Sequence, residues 1–256
     1  MNMPVCLHFG THKTASTFMQ KRFFPSLPGV HYCNCRTEYR RFLNQIINVE
    51  DFEFEASKAL AEFNSVAELD PALCQVLSDE MFYAPLFYNW YCFRGRGCER
   101  LSAVFPGARA AIVFRNQGDL ARSMYQMFVR RGGSSSWENF LRHKIPSGYF
   151  SYFAYVCKMS ELFGKDNVFV YFYEDFLRNP HDYLNRWCDM LGVPRDSWNE
   201  SIIGKWENRG FAPSLIGIKR FTNRFISSRN QADLLFPRYF GEAVNRLLAA
   251  FSSSRL

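Results

Sequence analysis

This chain predicts an α/β fold with a central parallel sheet flanked by helices, on three observations. Four short apolar runs stand apart along the sequence: Val5–Phe9, Leu73–Leu77, Ala110–Phe114 and Val168–Tyr173. None alternates cleanly between apolar and polar residues, and a strand covered on both faces reads that way. Helical patterns long enough to cross over a sheet separate the runs, as parallel strands require.

In chain order, the first run ends at Gly10 and feeds the helical pattern Ala15–Phe24. Arg36–Asn48 and Glu53–Phe63 fill the crossover to the second run, Leu120–Arg130 follows the third, and Tyr149–Phe163 precedes the fourth. Beyond Pro180 the pattern is helical: Asp182–Leu191, ended by Gly192, then Ser214–Ile226 and Arg238–Phe251. No internal repeat and no long Pro/Gly/Ser linker divides the chain. A single domain is expected over residues 1–256, with an α/β core at about 4–193 and a helical part from 194 onward. Gly132-Gly133-Ser134-Ser135-Ser136 is the candidate mobile loop.

At 48% hydrophobic and 21% charged residues, composition excludes disordered and fibrous classes. No run approaches the roughly 20 apolar residues of a membrane span, and no signal peptide is visible, so a cytoplasmic location is expected. The net charge of +7 favours an anionic partner. The basic residues come as pairs and triplets, such as Arg40-Arg41, Arg94/Arg96/Arg100, Arg130-Arg131 and Lys219-Arg220, and not as the block of a nucleic-acid arm. Eight dispersed cysteines do not make a disulfide scaffold, and Cys6, Cys74, Cys157 and Cys188 read as small hydrophobes. His31-Tyr32-Cys33-Asn34-Cys35 could hold a soft metal but lacks the usual ligand spacing, and no metal is expected.

In open parallel sheets ligands bind outside the carboxyl ends of the strands. The first strand leads into Gly10-Thr11-His12-Lys13-Thr14-Ala15-Ser16-Thr17. A glycine turn before a helix N-terminus makes an anion cradle; Lys13 adds charge, and Thr14, Ser16 and Thr17 add hydroxyls. It is not a Walker A sequence, because the lysine comes early and Ala15 stands where a glycine would. Ser78-Asp79-Glu80, Arg115-Asn116-Gln117 and Glu174-Asp175 follow the other strands.

The first loop resembles the 5′-phosphosulfate loop of sulfotransferases that use 3′-phosphoadenosine 5′-phosphosulfate (PAPS), Gly-x-x-Lys-Thr-Gly-Thr/Ser-Thr. Gly10, Lys13, Thr14, Ser16 and Thr17 match; Ala15 departs. Arg115 through Tyr125 is similar to the family's 3′-phosphate motif, with Arg115 and Ser123 at the binding positions, Gln117 in place of proline, and Arg122 displaced by one. Val168–Val193 resembles the family's closing strand and helix, through Tyr173-Glu174-Asp175-Phe176, Asn179-Pro180 and Leu191-Gly192. In some members that tyrosine lies near adenine, which makes Tyr173 a candidate base neighbour beside its reading as core packing. Asn208-Arg209-Gly210 faintly echoes the segment that closes over the 3′-phosphate.

The resemblance implies a P-loop-like three-layer fold of the bacterial and Golgi-like branch. It implies PAPS as co-substrate, adenosine 3′,5′-bisphosphate (PAP) as product, and sulfuryl transfer to a hydroxyl or amine of a glycan, lipid or small molecule. Thr11, His12, Lys13, Thr14, Ala15, Ser16, Thr17, Arg115 and Ser123 are then the nucleotide-binding set, with Lys13 also at the leaving oxygen. Glu80 is the candidate base, its carboxyl expected to be raised toward neutrality by burial, and Asp79 is second. His12 is expected to present its backbone N–H, not its ring. Tyr83, Phe87, Tyr88, Trp90 and Tyr91 are a core stretch or an acceptor platform. A kinase or NTPase of the same fold and a non-catalytic polyanion binder are the rivals.

Overall fold

Among the described residues five strands, one more than the apolar runs predict, form the sheet: β1 (Val5–Gly10), β2 (Val30–Cys33), β3 (Cys74–Ser78), β4 (Arg109–Phe114) and β5 (Val168–Phe172). They pair in the order β2-β3-β1-β4-β5, parallel throughout. The additional strand, β2, is the segment read from sequence only as a possible metal cluster. It is four residues long, lies at the sheet edge and is partly exposed, so it carries His31 and Tyr32 without the apolar run of a central strand. The computed structural model describes residues 4–66, 70, 72–83, 95–145, 148–203, 213–226 and 238–253.

Two compact units divide the chain: residues 1–116 with 150–207, and residues 117–149 with 208–256. In the first unit, helices cover both faces of the sheet. Cys6, Val76, Ala111, Val113 and Tyr171 pack with Met19, Phe23 and Phe24 and with Leu184, Trp187 and Cys188 of Pro180–Leu191. Trp187 stacks on Tyr171 at 4.4 Å between ring centroids. On the opposite face Phe9 meets Phe82 and Phe163, and Phe114 stacks on Tyr152 at 4.1 Å, which docks helix Tyr152–Phe163 there. Each large side chain so buried contributes about 1.5–3 kcal/mol of transfer free energy. Cys157, expected to be buried, lies exposed on that helix, while Cys6, Cys74 and Cys188 are buried.

The helix after β1 runs over residues 16–26 with a wide middle turn, Met19–Phe23, in which the Phe24 N–H donates to the Met19 carbonyl five residues back. Pro25 follows at once, and lacking an N–H it could not continue an ordinary α-turn ladder. Helix Arg96–Val104, absent from the sequence reading, approaches the site loop closely. A Cβ on Gly97 would stand 2.4 Å from the Phe82 carbonyl oxygen, so only glycine admits the contact.

The second unit contains helices Gln117–Arg130, Trp137–Lys144, Pro213–Thr222 and Arg238–Ser253. Asn223 ties it together, its Nδ2 donating to the Val129 carbonyl at 2.7 Å and the Gly133 carbonyl at 2.8 Å, while buried Lys219 donates to its Oδ1. The expected mobile stretch Gly132–Ser136 is therefore tethered. Tyr125 Oη also donates to the Ser135 carbonyl at 3.0 Å, and Ser136 caps the next helix through the Asn139 N–H.

Candidate functional site

The chain leaves β1 toward β2 and β3 on one side of the sheet, and leaves β4 toward β5 on the other. The crevice outside the carboxyl ends of β1 and β4 is thus the topological switch point, where open parallel sheets bind ligands. Two candidate segments meet there: Arg115 Nη1, just past β4, donates to the Lys13 carbonyl in the loop after β1 at 2.9 Å.

That loop is braced from below and from within. Thr11 Oγ1 donates to the Val113 carbonyl of β4 at 2.7 Å, and Thr14 Oγ1 to the Thr11 carbonyl at 2.6 Å. A Cβ on Gly10 would stand 3.1 Å from that of Ser16, so glycine lets the helix start close over the strand end. Lys13 (φ 67°) and Ala15 (φ 62°) both take the left-handed conformation. Ala15 occupies the place where the matched motif has glycine, and its φ supplies the physical reason for that glycine. Ala15→Gly should therefore raise stability by about 1 kcal/mol, which is about 2–4 °C in Tm for a chain of this size. A thermal melt with unchanged or lower Tm would contradict the strain.

Glu80, on the turn Glu80–Phe82 after β3, reaches into the same loop. One carboxylate oxygen accepts from the Ser16 hydroxyl; the other lies 3.3 Å from His12 Nδ1 and 3.8 Å from Arg36 Nη2. The expectation of a raised carboxyl is overturned. Burial does push it up, but the hydrogen bonds from His12 and Ser16 and the Arg36 charge together hold it at about 2. His12, expected to present its backbone N–H and not its ring, has that ring buried against Glu80. Asp79, the second choice, is gripped bidentately by Arg36 at 2.7 and 3.1 Å and caps the Met81 N–H at 2.8 Å, so its lone pairs are committed to structure.

Around Arg115, the guanidinium lies over the Tyr173 ring at 4.7 Å from its centroid, and Nε is buried without a hydrogen-bond partner among the described residues. Tyr152 Oη donates to the Arg115 carbonyl at 2.9 Å, and the Asn116 N–H donates to Glu174 Oε1 at 2.9 Å. Thr17, in the first turn of the helix after the loop, is partly exposed. Ser123 belongs to the second unit, partly exposed on helix Gln117–Arg130, where its neighbour Arg122 pairs with Asp119 at 2.8 Å. Tyr83 is buried and packs on Tyr155 at 4.8 Å; Phe87, Tyr88, Trp90, Tyr91 and Asn208-Arg209-Gly210 lie outside the described residues.

Beneath the loop, His8 of β1 is fully buried, edge-on to Phe24 and Trp187, with Nδ1 2.7 Å from Ser78 Oγ. Gln20 Nε2 donates to the same Ser78 at its hydroxyl (3.1 Å) and its carbonyl (3.3 Å). Burial pushes the His8 imidazole down from 6.5 to about 3. The folded state therefore binds fewer protons than the unfolded one between these values, and stability present above pH 6.5 is lost as pH falls toward 3. The limiting slope is about 1.4 kcal/mol per pH unit. Urea melts should show stability falling from pH 6.5 to 5 with a slope that approaches this limit toward pH 5, above the range where Glu80 adds its own loss, and His8→Gln should flatten it. An equal slope in the variant would assign the effect elsewhere.

Arg36, Tyr152 and His8 are site neighbours that sequence reading missed. Glu174 was read from sequence as a polar residue just past a strand. In the His31–Cys35 segment, His31 Nε2 is 3.3 Å from Tyr39 Oη, and Cys33 Sγ donates to Gln75 Oε1. Among the described residues no group of three or more His, Cys, Asp or Glu is arranged for a metal ion, and no helix is long and apolar enough to cross a membrane.

The sequence model of the sulfotransferase family matches residues 10–199. A crystal structure of a sulfotransferase from Alicyclobacillus acidocaldarius aligns with a TM-score of 0.54 at 18% identity, over 87% of this chain and 94% of that one, and shares the fold. A mouse sulfotransferase complexed with PAP aligns at a TM-score of 0.44 and 14% identity, over 93% of this chain and 72% of that one. No curated protein matches the chain in sequence.

Proposed function

The chain belongs to the sulfotransferase family, and from that premise we propose that it transfers the sulfuryl group of PAPS to a hydroxyl or amine of a glycan, lipid or small-molecule acceptor. The observation that carries the nucleotide half is the Arg115–Lys13 contact at the switch point. It puts the head of a 5′-phosphate cradle and a strand-end guanidinium in one place, as a 3′,5′-bisphosphate needs. Thr11, His12, Lys13, Thr14, Ala15, Ser16 and Thr17 cradle the 5′-phosphosulfate, and Arg115 takes the 3′-phosphate.

In the transfer, the acceptor oxygen bonds to sulfur as the bond from sulfur to the 5′-phosphate oxygen breaks, and the electron pair stays on PAP. The Lys13 ammonium stabilises that developing charge. A carboxylate titrating near 2 is a weak base, so Glu80 acts by holding His12. With Nδ1–H donated to the carboxylate, Nε2 of the imidazole takes the acceptor's proton, as in other carboxylate–histidine pairs. Glu80 is then a positioning residue and His12 the proton acceptor.

The test is a panel of alcohol and amine acceptors with isotopically labelled PAPS, read by mass spectrometry. A sulfate-sized gain carrying the label in at least one acceptor, absent in Lys13→Ala, is expected. Phosphoryl transfer from ATP with no labelled product from PAPS would favour the kinase reading.

A further inference from the structure

We propose that Tyr173 is a positioning residue for 3′-phosphate recognition, its ring serving as the platform that aims Arg115. The proposal rests on the nucleotide reading above and assigns this tyrosine to the phosphate, not to the base.

Strand register brings the pair together. Phe114 of β4 stands opposite Phe172 of β5, so the next residues, Arg115 and Tyr173, leave the sheet side by side. The guanidinium lies over the ring at 4.7 Å from the centroid, and Nη1 is fixed on the Lys13 carbonyl at 2.9 Å. Two constraints on a planar group fix its plane and its rotation within that plane. With Nη1 engaged, the Nε–Nη2 edge is the fork that matches two phosphate oxygens, and Nε has no hydrogen-bond partner among the described residues. The backbone of the pair is locked as well. Tyr152 holds the Arg115 carbonyl, and Glu174, the residue after Tyr173, accepts from the Asn116 N–H, the residue after Arg115. The two strand ends are thus tied crosswise, with the stacked pair at the centre.

Tyr173 is half-buried, and burial pushes its phenol up, so the ring stays neutral and keeps its negative face toward the cation at physiological pH. Among the described residues no hydrogen bond uses its hydroxyl, so phenylalanine retains what the platform requires.

The experiment is calorimetric titration of the full chain with PAP and with AMP, which lacks the 3′-phosphate, in the unsubstituted protein, Tyr173→Phe, Tyr173→Leu and Tyr173→Met. The leucine and methionine variants remove the π face, and either serves if the other fails to fold. The ratio of AMP to PAP dissociation constants should fall about three- to thirtyfold in Tyr173→Leu and Tyr173→Met, the span of a cation–π contact. AMP affinity should hold within about twofold, and Tyr173→Phe should retain the full ratio. Equal losses for both nucleotides would assign Tyr173 to adenine and overturn the proposal, as would an unchanged ratio. A ratio near one in the unsubstituted chain would overturn the nucleotide reading itself and the proposal with it.

Discussion

Replacing Lys13 by alanine is expected to lower turnover about 10²–10³-fold, the usual effect of removing one electrostatic contact to developing charge. PAP affinity should change far less. On the proposed reading the ground-state phosphate is also held by backbone N–H groups, by the Thr17 hydroxyl and by Arg115, whereas the bridging oxygen gains charge only as the bond to sulfur breaks; the Thr14 and Ser16 hydroxyls donate to the Thr11 carbonyl and to Glu80. Single-turnover rates and PAP dissociation constants measured on the same variant separate the two effects. Because Lys13 has a positive φ, the alanine occupies the same strained backbone, and the loop keeps its Arg115–Lys13 carbonyl contact. Near-normal turnover would remove Lys13 from the mechanism.

The second large effect is expected at Glu80. Glu80→Gln keeps the size of the side chain but loses the charge that orients His12, and turnover should fall by about 10²–10⁴. The pH profile decides between the carboxylate and the imidazole as proton acceptor. A base titrating near 2 would leave the rate flat from about pH 5 upward. The His12–Glu80 pair predicts instead a pH-dependent rate whose acidic limb disappears in His12→Asn. A flat profile in the unsubstituted chain, with His12→Asn fully active, would return the role to Glu80 alone.

The layered fold and the two loops that meet at the switch point were legible in sequence, because buried parallel strands read as uninterrupted apolar runs and the loops carry fixed spacings. β2 was not, since a short edge strand holds His31 and Tyr32 where a central one would hold valine or isoleucine. Helix Arg96–Val104 was also missed; its arginines read as a charge cluster, whereas Arg96 and Arg100 both pair with Asp51 and Arg100 is buried. At the site, position was readable but environment was not. Glu80 was found from its place after a strand, yet the sign of its shift depends on His12, Ser16 and Arg36, which converge from two other loops. Similarly, Tyr173 was found as a motif residue, while its stacking under Arg115 follows from the register of β4 with β5.

The central claim is that the crevice at the ends of β1 and β4 holds a 3′,5′-bisphosphate nucleotide, and direct titration with PAP, AMP and ATP tests it. One charged hydrogen-bond site for the 3′-phosphate is worth about 1.5–3 kcal/mol, or roughly 10–150-fold in affinity. PAP should therefore bind at least about tenfold more tightly than AMP, with ATP no tighter than AMP and Arg115→Ala reducing PAP to the level of AMP. Equal affinity for PAP and AMP, or tighter binding of ATP, would contradict it.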